Sequence, residues 1–360
     1  MALDHYLTLG RSGLRVSPLC LGTMTFGEEW GIGAGERQSR QVLDRYRALG
    51  GNFIDTANSY NHGHSEKIIG DYLSEEPSRR QEMVIATKFF GNMQSGNPNA
   101  GGCGRKNIVW SCEESLRRLR TDYIDLYWMH CWDYHTPIEE TMRALDDLVG
   151  AGKVRHIGFS NTPGWKVSQA QMLAAMRHWE PAIALQLEYS LLERTIEGEF
   201  FPMAEEFGLG ITPWSPLRFG LLSGKYRRGD AGEPSARQAA GMRNLDDSCF
   251  DIIETVAAVA GELETTPARV ALNWVCRQPR ISSPIIGART VEQLEDNLGC
   301  LDVCLTDEHL ARLSAISRPA LGFPHHFIER SPTFRNNGLT INGEKADTNP
   351  MAMPESGSLY

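Results

Sequence analysis

Four residues in this chain are of types that can move a proton, and each stands at or just beyond the end of an apolar run. In FIDTANSY (53–60) the carboxylate Asp55 ends the run and the phenol Tyr60 follows on the next loop. Lys88 closes MVIATK, and His130 closes YIDLYWMH. A lysine in an enclosed site loses its charge to desolvation unless a carboxylate pairs with it, and Asp55 on the neighbouring strand is the natural partner. A cation beside a phenol favours the phenolate, which predicts a Tyr60 pKa drawn from about 10 toward neutrality and a tyrosine able to act as a general acid. His130 could then donate a hydrogen bond to a carbonyl oxygen as negative charge builds on it. Taken singly, the Asp reads as a turn or cap, the Lys as solvated and the His as core. Four complementary roles on three successive strands predict one site.

The elements that must position them follow from periodicity. Strands are expected at 16–22, 52–57, 83–88, 123–130, 155–161, 182–190, 210–216 and 283–288. Amphipathic helical segments lie between them. ERQSRQVLDRYRALGG ends on paired glycines suited to a left-handed cap. TPIEETMRALDDLVGAGK opens like a capping box, Thr136 facing Glu139, and TPARVALNWVCR opens with Thr266 and then Pro267. Two helices are expected between the seventh and eighth strands. Strands alternating with helices require parallel pairing, and eight units match an α/β (β/α)8 TIM barrel better than an open doubly wound sheet. The barrel is expected over 1–317, with an extended C-terminal tail at 318–360 packed on or near it.

A hydrophobic content of 41% across 360 residues supports a large core, and a net charge of −9 argues against a general nucleic-acid or anionic-membrane binder. No run approaches a transmembrane length and MALDHYLTLG does not read as a signal peptide, so a soluble cytoplasmic protein is expected. The eight cysteines form no CxxC pair and are expected as reduced thiols. Nothing in the sequence sets an oligomeric state.

The chain resembles the aldo-keto reductase superfamily over roughly residues 7 to 316. The likeness is carried by LGRSGLRVSPLCLGTMTFG, FIDTANSYNHGHSEKIIG, VIATK, YIDLYWMH, GKVRHIGFSN, LQLEYSLL, WSPLRFGLLSGKY and IIGARTVEQLEDNL, in that order. It implies a catalytic tetrad at Asp55, Tyr60, Lys88 and His130. It also implies NADPH/NADP+ lying across the carboxyl face of the barrel and a small-molecule carbonyl substrate. By resemblance, Gly22, Thr23, Met24 and Asp55 approach the nicotinamide, Ser160, Asn161 and Gln186 bond its carboxamide, and Trp214 stacks on it. Ser215, Pro216, Leu217, Arg218, Phe219 and Lys225 would cover the pyrophosphate. Gly287, Arg289, Gln293, Asp296 and Asn297 would hold the adenosine end, Asp296 standing where many relatives have Glu. The local sequence agrees: Thr290 reads as an N-cap, so a phosphate could meet backbone N–H groups and Arg289, whose guanidinium fork suits a 2′-phosphate. This predicts NADP(H) over NAD(H).

Trp30, Phe89 and Trp132 are candidate walls of the substrate pocket. GIGAGE (31–36) imitates a dinucleotide-binding glycine loop, but it does not directly follow a strand and its last position is Glu36. It reads instead as a loop at the substrate mouth. His62 and His64 imitate a metal pair without a completing ligand set. The expected activity is NADPH-dependent reduction of an aldehyde or ketone. One alternative is an NADPH-binding regulatory subunit, since the chain also resembles potassium-channel β subunits; another is a metal-dependent barrel hydrolase.

Overall fold

Pro18 has no backbone N–H, so the first apolar run cannot form one continuous ladder through it. In the structure, a computed structural model describing residues 2–226, 228 and 246–352, that run is divided. Arg15–Val16 pairs antiparallel with Leu7–Thr8, and only Cys20–Gly22 enters the barrel. The barrel strands are β1 (Cys20–Gly22), β2 (Phe53–Asp55), β3 (Val84–Phe89), β4 (Ile124–Met129), β5 (Val154–Ser160), β6 (Ala182–Gln186), β7 (Gly210–Ile211) and β8 (Ile285–Gly287). All are parallel, in the order β8-β1-β2-β3-β4-β5-β6-β7. Pro213 cuts β7 to two residues by the same loss of a donor. The two edges nevertheless meet: Ile211 N donates to Arg280 O (3.0 Å), Ser282 N to Ile211 O (2.8 Å) and Ile285 N to Pro213 O (2.8 Å).

Crossover helices α1 (Glu36–Ala48), α2 (His64–Ser74), α3 (Arg105–Leu119), α4 (Ile138–Gly150), α5 (Gly164–Arg177) and α6 (Ile196–Phe207) surround the sheet, with α7 (Pro267–Cys276) and α8 (Val291–Leu298) flanking β8. Asp247–Glu262 is the second helix expected between β7 and β8. α1 ends with Gly50 at φ 89°, and Thr266 and Thr290 accept from Arg269 N and Gln293 N as N-caps. The capping box at Thr136 does not form. Asp133 takes the Thr136 hydroxyl (2.6 Å) and the His135 N–H (2.8 Å), and α4 opens on Pro137 without a side-chain cap.

The apolar residues form a main core that includes the helix faces packed on the barrel, and a smaller cluster holding Leu9, Cys20, Phe53, Ala86, Trp128 and Ala184. The N-terminal hairpin closes the latter. Gly10, at φ 58°, lies so close to the strands that a Cβ there would stand 2.1 Å from the Ile183 carbonyl oxygen. The residues from Pro319 onward form a second compact unit. It is not simply extended: it contains helices His325–Ile328 and Ser331–Asn336 and a hairpin of Thr340–Ile341 with Glu344–Lys345. Residues 353–360 of the expected tail lie outside the described residues.

Candidate active site

Sheet register brings the acid and the lysine together. Asp55 is paired with Ala86, and Lys88, two residues further along β3, points to the same face. His130 directly follows β4, its N–H held by Phe89 O at 3.1 Å. Tyr60 arrives differently, on a turn in which Asn61, His62 and Gly63 take φ values of 45°, 57° and 90°. Such backbone needs outside support. Buried Asn61 supplies part of it: its Nδ2 donates to Met24 O and Phe26 O (both 3.0 Å), and its Oδ1 accepts from Trp30 N (3.1 Å).

The Lys88 ammonium, fully buried, is the hub of the site. It donates to Asp55 Oδ2 at 2.5 Å, Thr56 O at 2.7 Å and Tyr60 Oη at 3.2 Å. Gln186 Nε2 reaches the other Asp55 oxygen at 2.9 Å. Burial opposes the Lys88 charge, but Asp55 and Tyr60 outweigh it and the lysine pKa is raised, so Lys88 is a cation. Tyr60 departs from expectation. Burial pushes its pKa up, Lys88 pulls it down, Asp55 adds to the rise, and the net direction is upward. The phenol is therefore protonated at neutral pH. Burial, helped by the Lys88 charge, depresses His130 to about 3, so its imidazole is neutral. The Tyr60 and His130 rings meet edge to face, 5.9 Å between centroids.

Tyr60, His130 and Asp55 line one end of a cavity of about 750 Å³ that runs on to α8. Of the positions singled out in the sequence, Gly22, Met24, Ser160, Asn161 and Gln186 are on the lining. So are Trp214, Ser215, Pro216, Leu217, Phe219 and Lys225 after β7, and Gly287, Arg289, Gln293, Asp296 and Asn297 from the end of β8 into α8. The Trp214 indole N–H donates to Asn161 Oδ1 at 3.1 Å, and Asn161 Nδ2 to His130 O at 3.0 Å. At the far end Arg289 N donates to Gln293 Oε1 (2.9 Å), Arg269 Nε to Asp296 Oδ1 (2.9 Å) and Asn297 Nδ2 to Gly287 O (3.2 Å).

Other singled-out positions are not on the lining. Lys88 stands behind Asp55 and Tyr60. Thr23 is buried, its hydroxyl bonded to Asp55 O (3.1 Å) and Ser65 Oγ (2.8 Å), and Arg218 is ion-paired with Glu188. Phe89 is fully buried against Tyr127, with centroids 4.9 Å apart, because the residue after Lys88 must point out of the barrel. Trp132 is 7% exposed under the Lys166 ammonium, so neither aromatic walls the cavity. Trp30 stands edge-on to Tyr60 at 6.1 Å.

Sequence reasoning missed Thr25, Gly220, Ser223, Ala268, Leu272, Ile285, Ile286 and Ala288 on the lining, whereas it puts the loop of Gly31 and Ile32 at the substrate mouth. Ala268 and Leu272 lie at i, i+4 on α7, a spacing that marks one helix face and could have been read. Gly31 and Ile32 belong to the GIGAGE loop. His64 pairs with Glu29 (2.5 Å), and among the described residues no group of His, Cys, Asp and Glu is placed to hold a metal ion. No described helix is long and apolar enough to cross a membrane.

The cavity's polar groups suit an elongated, anionic, amide-bearing ligand. Amide and hydroxyl side chains cluster beside the tetrad. Arg289 and Lys225 line the cavity from exposed positions, and among the described residues neither is drawn into an ion pair.

An eight-stranded barrel with this constellation at its carboxyl ends defines an oxidoreductase of the nicotinamide-using barrel class. Residues 18–318 match the aldo/keto reductase family, to which the chain belongs. It is an NAD(P)-dependent oxidoreductase. It is 40% identical to an uncharacterized oxidoreductase of Bacillus subtilis over 87% of this chain and 95% of that protein. It is 36% identical to an aryl-alcohol dehydrogenase of Pestalotiopsis microspora, covering 90% of this chain and 85% of the relative. Identity to a norsolorinic acid reductase of Aspergillus flavus is 34%, over 92% and 86%.

Proposed function

We propose that this protein catalyses NADPH-dependent reduction of an aromatic aldehyde or ketone to the alcohol. The carrying observation is the Lys88 ammonium held between Asp55 and Tyr60, with the Tyr60 hydroxyl at the cavity surface opposite a neutral imidazole. The cofactor, when bound, supplies the hydride. Tyr60, protonated, gives its proton to the carbonyl oxygen. Lys88 stabilises the phenolate left behind, and Asp55 keeps Lys88 charged in a site that would otherwise neutralise it. His130 offers an N–H to the same oxygen and fixes its direction.

Ser160, Asn161 and Gln186 would hold the nicotinamide carboxamide. Gln186 Nε2 is committed to Asp55, which leaves its carbonyl as the acceptor. Trp214 would support the ring, and Lys225 and Arg289 the phosphates. A guanidinium at the start of α8 favours the 2′-phosphate, hence NADPH over NADH. The aromatic substrate class is supported by the names of the aryl-alcohol dehydrogenase and norsolorinic acid reductase relatives. A complete tetrad argues for turnover over a purely regulatory role. Tyr60→Phe is expected to lower carbonyl reduction by about 10²–10⁴-fold while leaving NADPH affinity unchanged. NADPH oxidation with a panel of aldehydes and ketones, alongside NADPH titration, checks both; near-normal turnover by the variant would remove Tyr60 from the mechanism.

A further inference from the structure

Glu66 is a fully buried carboxylate with no part in the chemistry just described. It sits in the first turn of α2, immediately after the turn that carries Tyr60. Its Oε2 accepts from Arg118 Nε on α3 at 2.7 Å, and its Oε1 accepts from Thr87 Oγ1 on β3 at 2.5 Å. Thr87 precedes Lys88. Alternation along a strand therefore points Lys88 into the barrel and Thr87 outward to α2. Arg118 also supports the turn directly: a Cβ on Gly63 would lie 3.0 Å from its Cδ and Nε.

Asn61 ties the turn to the residues after β1, but not to the strand that carries Lys88. Across the three left-handed residues the His64 N–H at the start of α2 still donates to Tyr60 O and Asn61 O, so the phenol's distance from Lys88 depends on how the start of α2 is fixed to β3. We propose that the Thr87–Glu66–Arg118 linkage is that fixture, and that Thr87 and Glu66 are positioning residues for proton transfer by Tyr60. The proposal rests on Tyr60 being the proton donor. Buried Glu66 needs both partners, because a carboxylate out of water must have its oxygens satisfied. Thr87 ties it to the strand that presents Lys88, and Arg118 ties it to the underside of the turn.

Thr87→Val tests this with the least disturbance, since it keeps the side-chain shape and the Glu66–Arg118 pair and removes one hydroxyl. Expected are a fall of about 10- to 100-fold in kcat/KM for carbonyl reduction, unchanged NADPH affinity, and faster amide exchange at residues 60–66 in the chain without cofactor. Thr87→Ser, which restores the hydroxyl, should recover the rate. In the Tyr60→Phe background Thr87→Val should cost nothing further, because the group being positioned is gone. An equal loss in both backgrounds, or a wild-type rate in Thr87→Val, overturns the positioning role while leaving Tyr60 as donor. Near-normal turnover by Tyr60→Phe alone overturns the proton-donor reading and this inference with it.

Discussion

At the tetrad end of the cavity the ionisable groups are locked together inside the protein: Lys88 is fully buried and bonded to Asp55, Thr56 and Tyr60, while Gln186 takes the remaining Asp55 oxygen. Elsewhere on the lining, Arg289 at the α8 end and Lys225 after β7 are exposed. The first arrangement fixes protonation states before any ligand arrives, and its strength comes from burial. The second leaves cations hydrated and available, so it can contribute affinity and choice of ligand without holding the fold together. Changes at the tetrad end should therefore damage turnover and stability together, and changes at the α8 end should alter only binding.

The largest expected effect is at Lys88. Lys88→Met leaves Asp55 buried without its cation and Tyr60 without its electrostatic partner. It should lower turnover by about 10²–10⁴-fold and destabilise the fold by about 3–5 kcal/mol. Adding Asp55→Asn should return part of the stability, since the unpaired charge is removed, and none of the activity. Thermal unfolding and steady-state kinetics of both variants separate the two effects. Full stability in Lys88→Met would mean the buried pair is not a structural element.

Arg289→Ala probes the other end. A hydrogen bond to a charged group is worth about 1.5–3 kcal/mol, so NADPH affinity should weaken by about tenfold to a hundredfold. NADH affinity, kcat and the unfolding temperature should be unchanged. Equal losses for both cofactors would place Arg289 on the pyrophosphate rather than the 2′-phosphate.

The sequence was more readable at the tetrad end than in the parts that complete it. Asp55, Lys88 and His130 stand out because each closes an apolar run, and a parallel barrel gathers strand ends on one face. Thr266 and Thr290 were readable as caps because their bonds are local. Thr136 was not, because Asp133, three residues earlier, competes for its hydroxyl. Phe89 could have been excluded as a wall by alternation from Lys88. The upward direction of the Tyr60 pKa depends on how far burial offsets Lys88, which spacing cannot convey. The Thr87–Glu66–Arg118 linkage joins three elements through side chains 21 and 52 residues apart and leaves no periodic trace.

Near neutrality the smallest expected effects are in pH, and they should differ between the two ends. His130 has a pKa near 3 in the fold against about 6.5 in an unfolded chain. Between those values the unfolded chain takes up a proton that the folded one refuses. Stability then falls as pH drops from about 6.5 toward 3, by at most about 1.4 kcal/mol per pH unit from this residue. His130→Gln should remove that part of the slope in denaturant unfolding measured across the range. Turnover is expected to be flat from about pH 6 to 8, because the imidazole stays neutral and Tyr60 stays protonated throughout that interval. A 2′-phosphate monoester, by contrast, gains a proton near pH 6, so the KM for NADPH should rise below that pH while kcat holds. A kcat that titrates near pH 6.5 would show that His130 ionises during catalysis, and the site would then be less closed than its geometry implies.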